Sequence, residues 1–226
     1  MKSIFSLFAG LLVSFTCLAQ INEGSISYKV DFVINGSEQE AMASMMAGSQ
    51  MTMHYKDGST RVEVAMGTMM KMVTVSSLNS DKVLLLMDIP MANMKYAVLT
   101  DVKTTEETPI TKMPKLDIRH VNETKEILGY SCKKAILTDE SGLEYVFWYT
   151  DGITAHKGGQ SYLNYGVPGF PLEYEIFQSG FRMKMTATSL ETKIDPTKSQ
   201  SLFLMEVPAG YEVKDLKDLN AMGGGR

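Results

Sequence analysis

Histidine and cysteine are nearly missing from this chain, with three of one and two of the other in 226 residues. His54, His120 and His156 stand far apart and share no motif. No Ser-His-Asp arrangement can be placed on them, and no His/Cys/Asp spacing suits zinc. An EF-hand loop is lacking too. Lys157-Gly158-Gly159 comes nearest to a phosphate-cradling loop, but its spacing is wrong and no helical pattern follows it. Beyond the first residues no run approaches the ~18 apolar residues of a membrane-spanning helix. Positive charge is not in excess, since 22 Lys+Arg face 26 Asp+Glu for a net −4. Nothing in that balance draws the chain to nucleic acid. These absences lead to the reading of a non-catalytic protein with no cofactor.

What is present begins with an export leader. Lys2 supplies the charged start, Ile4 to Phe15 a short apolar core, and Cys17-Leu18-Ala19 the small residues before Gln20. Cleavage near Ala19 places the mature protein in the periplasm or outside the cell. Cys17 offers a second reading as a lipid-carrying cysteine, which would anchor the protein to a membrane surface. Ser14, standing where that chemistry usually wants Leu, and bulky Phe15 beside it favour the first reading. Cys132 is then the one remaining thiol in an oxidising compartment, and it reads as a small buried hydrophobe. Residues 20–213 are read as a single β-domain, long enough to bury a core without disulfides. Residues 214–226 read as a flexible polar tail.

Alternation dominates that domain. Ile26, Tyr28, Val30, Phe32 and Ile34 recur at period two, as do Met51, Met53 and Tyr55, and then Val62, Val64 and Met66. Asp57-Gly58 marks a hairpin turn. Further strands are expected over 70–76, 82–89, 95–99, 123–128, 131–138, 143–150, 171–177 and 181–191. Turns are expected at Asn79-Ser80-Asp81, Gly129, Asp139 to Gly142, Gln178 to Gly180 and Pro208 to Tyr211. Glu173 and Glu175 on one arm of the last hairpin and Arg182 and Lys184 on the other predict ion pairs across its outer face. Glu38 to Met46 has helical composition and ends at Gly48. Residues 104–114, with two prolines and paired glutamates, read as a long loop or lid. Tyr145 to Tyr149 is apolar on both faces, which predicts burial on both sides with Trp148 in the core. The fold class is therefore mainly β (α+β): a curved antiparallel sheet or half-open β-barrel with one or two short helices or a lid loop.

Methionine is the compositional anomaly. Twelve of the 18 lie between Met42 and Met94. They are core filler, a deformable apolar lining, or a soft-metal site for copper(I). The M-x-x-M spacings of Met42/Met45/Met46, Met66/Met69/Met70 and Met91/Met94 invite the last. In strands, however, i and i+3 face opposite sides, so only the 38–46 helix would gather its sulfurs.

Gly129-Tyr130-Ser131-Cys132-Lys133-Lys134-Ala135, Trp148-Tyr149-Thr150-Asp151 and Gly166-Val167-Pro168-Gly169-Phe170-Pro171-Leu172 resemble domain-of-unknown-function family 4412 and the GLPGLI-type envelope proteins. Both are similar to the LolA/LolB-like superfamily. The resemblance covers residues 120 to 213 and implies a half-open barrel with an apolar cavity that receives acyl chains. The expected function is to bind an apolar or amphipathic ligand, such as an acyl chain, lipid or lipoprotein segment, with peripheral membrane contact. The expected lining is Met45, Met46, Met70, Met72, Phe147, Tyr149, Leu172 and Tyr174. The alternatives are a Met-rich copper(I)-binding protein or a structural module of the envelope with no cavity.

Overall fold

The computed structural model describes residues 23–33, 44–102, 115–153, 166–178 and 181–218. The leader, the 104–114 segment, His156 and the first part of the expected 38–46 helix lie outside them. Within them the chain is mainly β, a single curved and unclosed sheet that forms a half-open barrel. Its strands are β1 (Glu23–Val33), β2 (Gln50–Lys56), β3 (Ser59–Met66), β4 (Met70–Ser77), β5 (Lys82–Ile89) and β6 (Met94–Asp101), then β7 (Leu116–Ile127), β8 (Tyr130–Asp139), β9 (Glu144–Thr150), β10 (Phe170–Gln178), β11 (Phe181–Glu191) and β12 (Glu212–Val213). The order across the sheet is β12-β6-β5-β4-β3-β2-β1-β11-β10-β9-β8-β7. Strand β1 is the seam, antiparallel to β2 on one side and to β11 on the other. Each half is a meander of hairpins, as expected from short alternating strands with close turns. Among the described residues only β12 runs parallel to its neighbour, β6.

Local chemistry sets the turns. Asp57 and Gly58 both take positive φ, 47° and 80°, the two-residue geometry that matches strand twist. Asp139 caps the β8–β9 turn, accepting from Ser141 Oγ (2.6 Å), from the Ser141 and Leu143 amides and from Tyr145 Oη (2.9 Å). The charged outer face of the last hairpin pairs as expected, with Lys184 on Glu173 at 3.0 Å and Arg182 on Glu175.

Two packed clusters flank the sheet. The larger covers the inner face around β1 and includes Ile26, Tyr28, Met53, Tyr55, Phe147, Leu172, Tyr174 and Met185. The smaller lies on the outer face of β4–β6, where Val75, Leu84, Leu86 and Ala97 meet Met205, Val207 and Tyr211 of the C-terminal segment. That segment follows α1 (Pro196–Leu202), a helix started by Asp195, whose carboxylate accepts from the Thr197 amide, with Pro196 in the first turn.

Three expectations need correction. Strand β7 begins at Leu116, earlier than residue 123, and carries a register shift between Val121 and Thr124 that interrupts its alternation. The polar tail is docked at its start, where the Lys214 amide donates to the Ala97 carbonyl. Trp148 packs against the main cluster but is only half-buried, on the outer face of β9, where the ammonium groups of Lys125 and Lys134 stand 4.4 and 5.6 Å from its ring centre. The aliphatic stems of lysines cover such a ring while their charges stay in water.

Candidate functional site

Residues paired across neighbouring strands share a face, so register shows how the inner face is built. One row runs Tyr28, Met51, Val64, Met72, Met87 and Tyr96 across β1 to β6. The next runs Ile26, Met53, Val62, Thr74, Leu85 and Val98. The β1 and β2 ends of both rows are buried in the main core and the β6 ends, Tyr96 and Val98, are buried too, whereas Val64, Met72, Thr74, Leu85 and Met87 between them are partly exposed. Met66 and Met70 are opposite one another and also half-exposed. An apolar, methionine-rich surface thus continues out of the core across β3–β5.

The expected lining residues divide between these regions. Met70 and Met72 lie on the half-exposed surface. Phe147, Tyr149, Leu172 and Tyr174 come together in the packed core, where the rings of Phe147 and Tyr174 are 5.3 Å apart. Met45 is 47% exposed and Met46 is buried. Both belong to the 44–49 turn, which packs on the β3–β4 hairpin. A Cβ on Gly67 would lie 2.2 Å from the Met45 carbonyl oxygen. Beside that hairpin is a shallow pocket of about 320 Å³ lined by Gly67, Thr68, Met70, Lys71 and Pro90. Sequence reasoning missed Met66, Leu85 and Met87 as surface partners of Met72. Their parity within each strand was the available signal, but β5 is apolar on both faces and hid it.

Polar groups near the core are few and strongly conditioned. Tyr28 Oη donates to the Pro171 carbonyl at 2.8 Å. Burial, then the nearby Tyr174 and Tyr55, pushes the Tyr28 hydroxyl well above its usual range. Burial, then Tyr130, pushes Tyr55 up to about 12. Tyr149 Oη and His120 Nδ1 are 3.1 Å apart at the core's edge. On the outer face, burial would raise Glu173, but hydrogen bonds from Lys125 and Lys184 outweigh it and hold the carboxyl below its usual value. Among the described residues no three His, Cys, Asp or Glu side chains gather as a metal site, and no helix is long and apolar enough to cross a membrane.

Comparison with known families adds one decisive match. The profile of the family described as N-glycanase peptide, N-terminal domain, matches residues 86–206, from β5 through α1 to the segment on the outer face. The chain belongs to this family. The matching profile differs from family 4412, which the Gly129–Leu172 motifs resemble, while the half-open sheet those motifs imply is the one formed. Solved structures with similar chains include PNGF-II, at 18% identity and TM-score 0.44, with 89% of this chain and 32% of that one covered. This chain therefore spans about a third of the length of that relative. An uncharacterized conserved protein from Thermus thermophilus is similar at 11% identity and TM-score 0.46, over 86% and 91% of the two chains. A DUF1329 family protein from Desulfovibrio piger is similar at 8% identity and TM-score 0.36, over 83% and 91%. No curated protein matches the chain significantly.

Proposed function

We propose that this chain is an exported, non-catalytic binding module that holds an apolar or amphipathic ligand, an acyl chain or lipoprotein segment, against the inner face of β3–β5. The observation that carries this reading is the continuation of the core rows into half-exposed Val64, Met72, Leu85 and Met87. Such a surface is hydrophobic enough to be covered and, through its unbranched thioethers, soft enough to fit varied shapes.

Chain length follows from the energetics. Each buried methylene contributes about 0.8 kcal/mol, and association costs about 4–15 kcal/mol. About ten methylenes are then needed before binding is measurable. The test is titration with fluorescent fatty acids of increasing length. Sixteen-carbon chains should bind and six-carbon chains should not. Leu85→Glu should abolish uptake with the far-UV spectrum unchanged. Equal uptake by the variant, or no dependence on length, would sink the reading.

Family membership supports a second reading of the same face, in which the ligand is the polypeptide part of a glycoprotein. An apolar glycopeptide that displaces the fatty acid would favour it.

A further inference from the structure

We propose that Met66, Met70, Met72 and Met87 form a copper(I) site on the inner face. The M-x-x-M spacings do not gather sulfurs along a strand, but the hairpin register does. Met66 stands directly opposite Met70 across β3 and β4, and Met72 opposite Met87 across β4 and β5. Met70 and Met72 are two residues apart on β4 and so face the same way. Paired Cα atoms lie about 4.5–5.5 Å apart, and alternate residues of a strand about 7 Å apart. Methionine has three rotatable side-chain bonds. Sulfurs from the two flanking strands can therefore lean over β4 and meet those of Met70 and Met72.

All four residues are partly exposed, which gives an ion access without unfolding. Met94 is left out because its sulfur already accepts a hydrogen bond from Tyr96 Oη at 2.9 Å. The chemistry selects the ion. Thioethers are neutral, soft donors, which suit a monovalent soft cation, whereas harder divalent ions favour imidazole or carboxylate.

This site shares the face proposed for the apolar ligand without depending on it, and the experiment separates the two. The Cys17→Ser, Cys132→Ser chain removes both thiols as competing ligands. Under anaerobic conditions it is titrated against a chromogenic copper(I) chelator. One equivalent should be withdrawn from the chelator, with sulfur-only scattering at the copper X-ray edge. Met70→Leu, Met72→Leu should weaken binding at least tenfold. If that variant misfolds, Met66→Leu, Met87→Leu should do the same. Met91→Leu, at a side chain 72% exposed, should leave copper affinity within twofold, and Met70→Leu, Met72→Leu, which keeps the face apolar, should still take up the sixteen-carbon fatty acid. No withdrawal of copper, retention by both methionine pairs, loss on removing the cysteines, or equal weakening by Met91→Leu would overturn the proposal.

Discussion

Two tyrosines in one core should respond oppositely to losing the same atom. Tyr28 and Tyr55 both lie in the main cluster, essentially buried. Tyr28 Oη donates to the Pro171 carbonyl, so it ties β1 to the start of β10. Tyr55 Oη, among the described residues, is buried without a hydrogen-bond partner. Tyr28→Phe removes a buried hydrogen bond that ties β1 to β10, a loss of about 1–3 kcal/mol. Tyr55→Phe removes a hydroxyl whose desolvation nothing repays, so it should be neutral or stabilise by up to about 1 kcal/mol. The variants should differ by about 1–4 kcal/mol, which for a domain of this size is a gap of about 2–16 °C in Tm. Urea denaturation read by far-UV circular dichroism measures both, with matching m-values confirming two comparable transitions. Alkaline titration adds an independent check. The Tyr55 hydroxyl titrates at about 12 in the folded chain against an ordinary 10.0. The unfolded chain therefore loses its proton first. The stability carried by the neutral phenol is fully present below pH 10 and is lost as pH rises toward 12. Tyr55→Phe should flatten that part of the profile. Equal destabilisation by the two variants would refute the reasoning.

Backbone and turn positions supply two more tests. Gly67→Ala combines positive φ with a Cβ driven into the Met45 carbonyl, whereas Gly129→Ala meets positive φ in open space. The first should therefore lose well more than the second, which is expected to cost about 1–2 kcal/mol in thermal unfolding. Asp139 is held at about 2 against 3.8, chiefly by the Ser141 hydroxyl; burial opposes this as the next largest effect, and the Leu143 amide and Tyr145 hydroxyl add to the lowering. Its folded value is depressed, so its contribution is present above pH 3.8 and lost as pH falls through about 2. The Tm difference between wild type and Asp139→Asn should close over that window, and a difference that persists unchanged below about pH 2 would count against the cap.

Much of the sheet was legible because its hairpins are local. The period-two runs at Ile26, Met51 and Val62 specify a buried face, and Asp57-Gly58 specifies the turn between two of them. Register follows from a short turn and a one-sided pattern. The long-range pairing of β1 with β11 carries no such local signal, since nothing near Tyr28 names Ala187 as its partner. Helix α1 was missed because seven residues cannot show a helical stripe, although Asp195-Pro196 is a start signal. Trp148 was misplaced because an aromatic run looks the same whether its second face is covered by a helix or by lysine stems. The site was half legible for a related reason. Met70 and Met72 announce themselves by composition, but their neighbours Met66 and Met87 are decided by pairing.

The motif around Gly166 to Leu172 shows why the open surface lies in the other half. A Cβ on Gly169 would stand 2.5 Å from the Thr150 carbonyl, so the corner entering β10 lies directly on the end of β9. Val167, Phe170 and Leu172 are all in the main cluster, and the Pro171 carbonyl takes the Tyr28 hydroxyl. This corner fixes β9, β10 and β1 around one filled core. Strands β4 and β5, which carry Met70, Met72 and Met87, have their dense packing on the outer face instead, against Met205, Val207 and Tyr211. Their inner face is therefore supported from behind while half-exposed in front. The proposed binding face thus has packed side chains behind it and thioethers in front. The aromatic Gly-Pro block, packed into the main core, supplies the frame beside that surface.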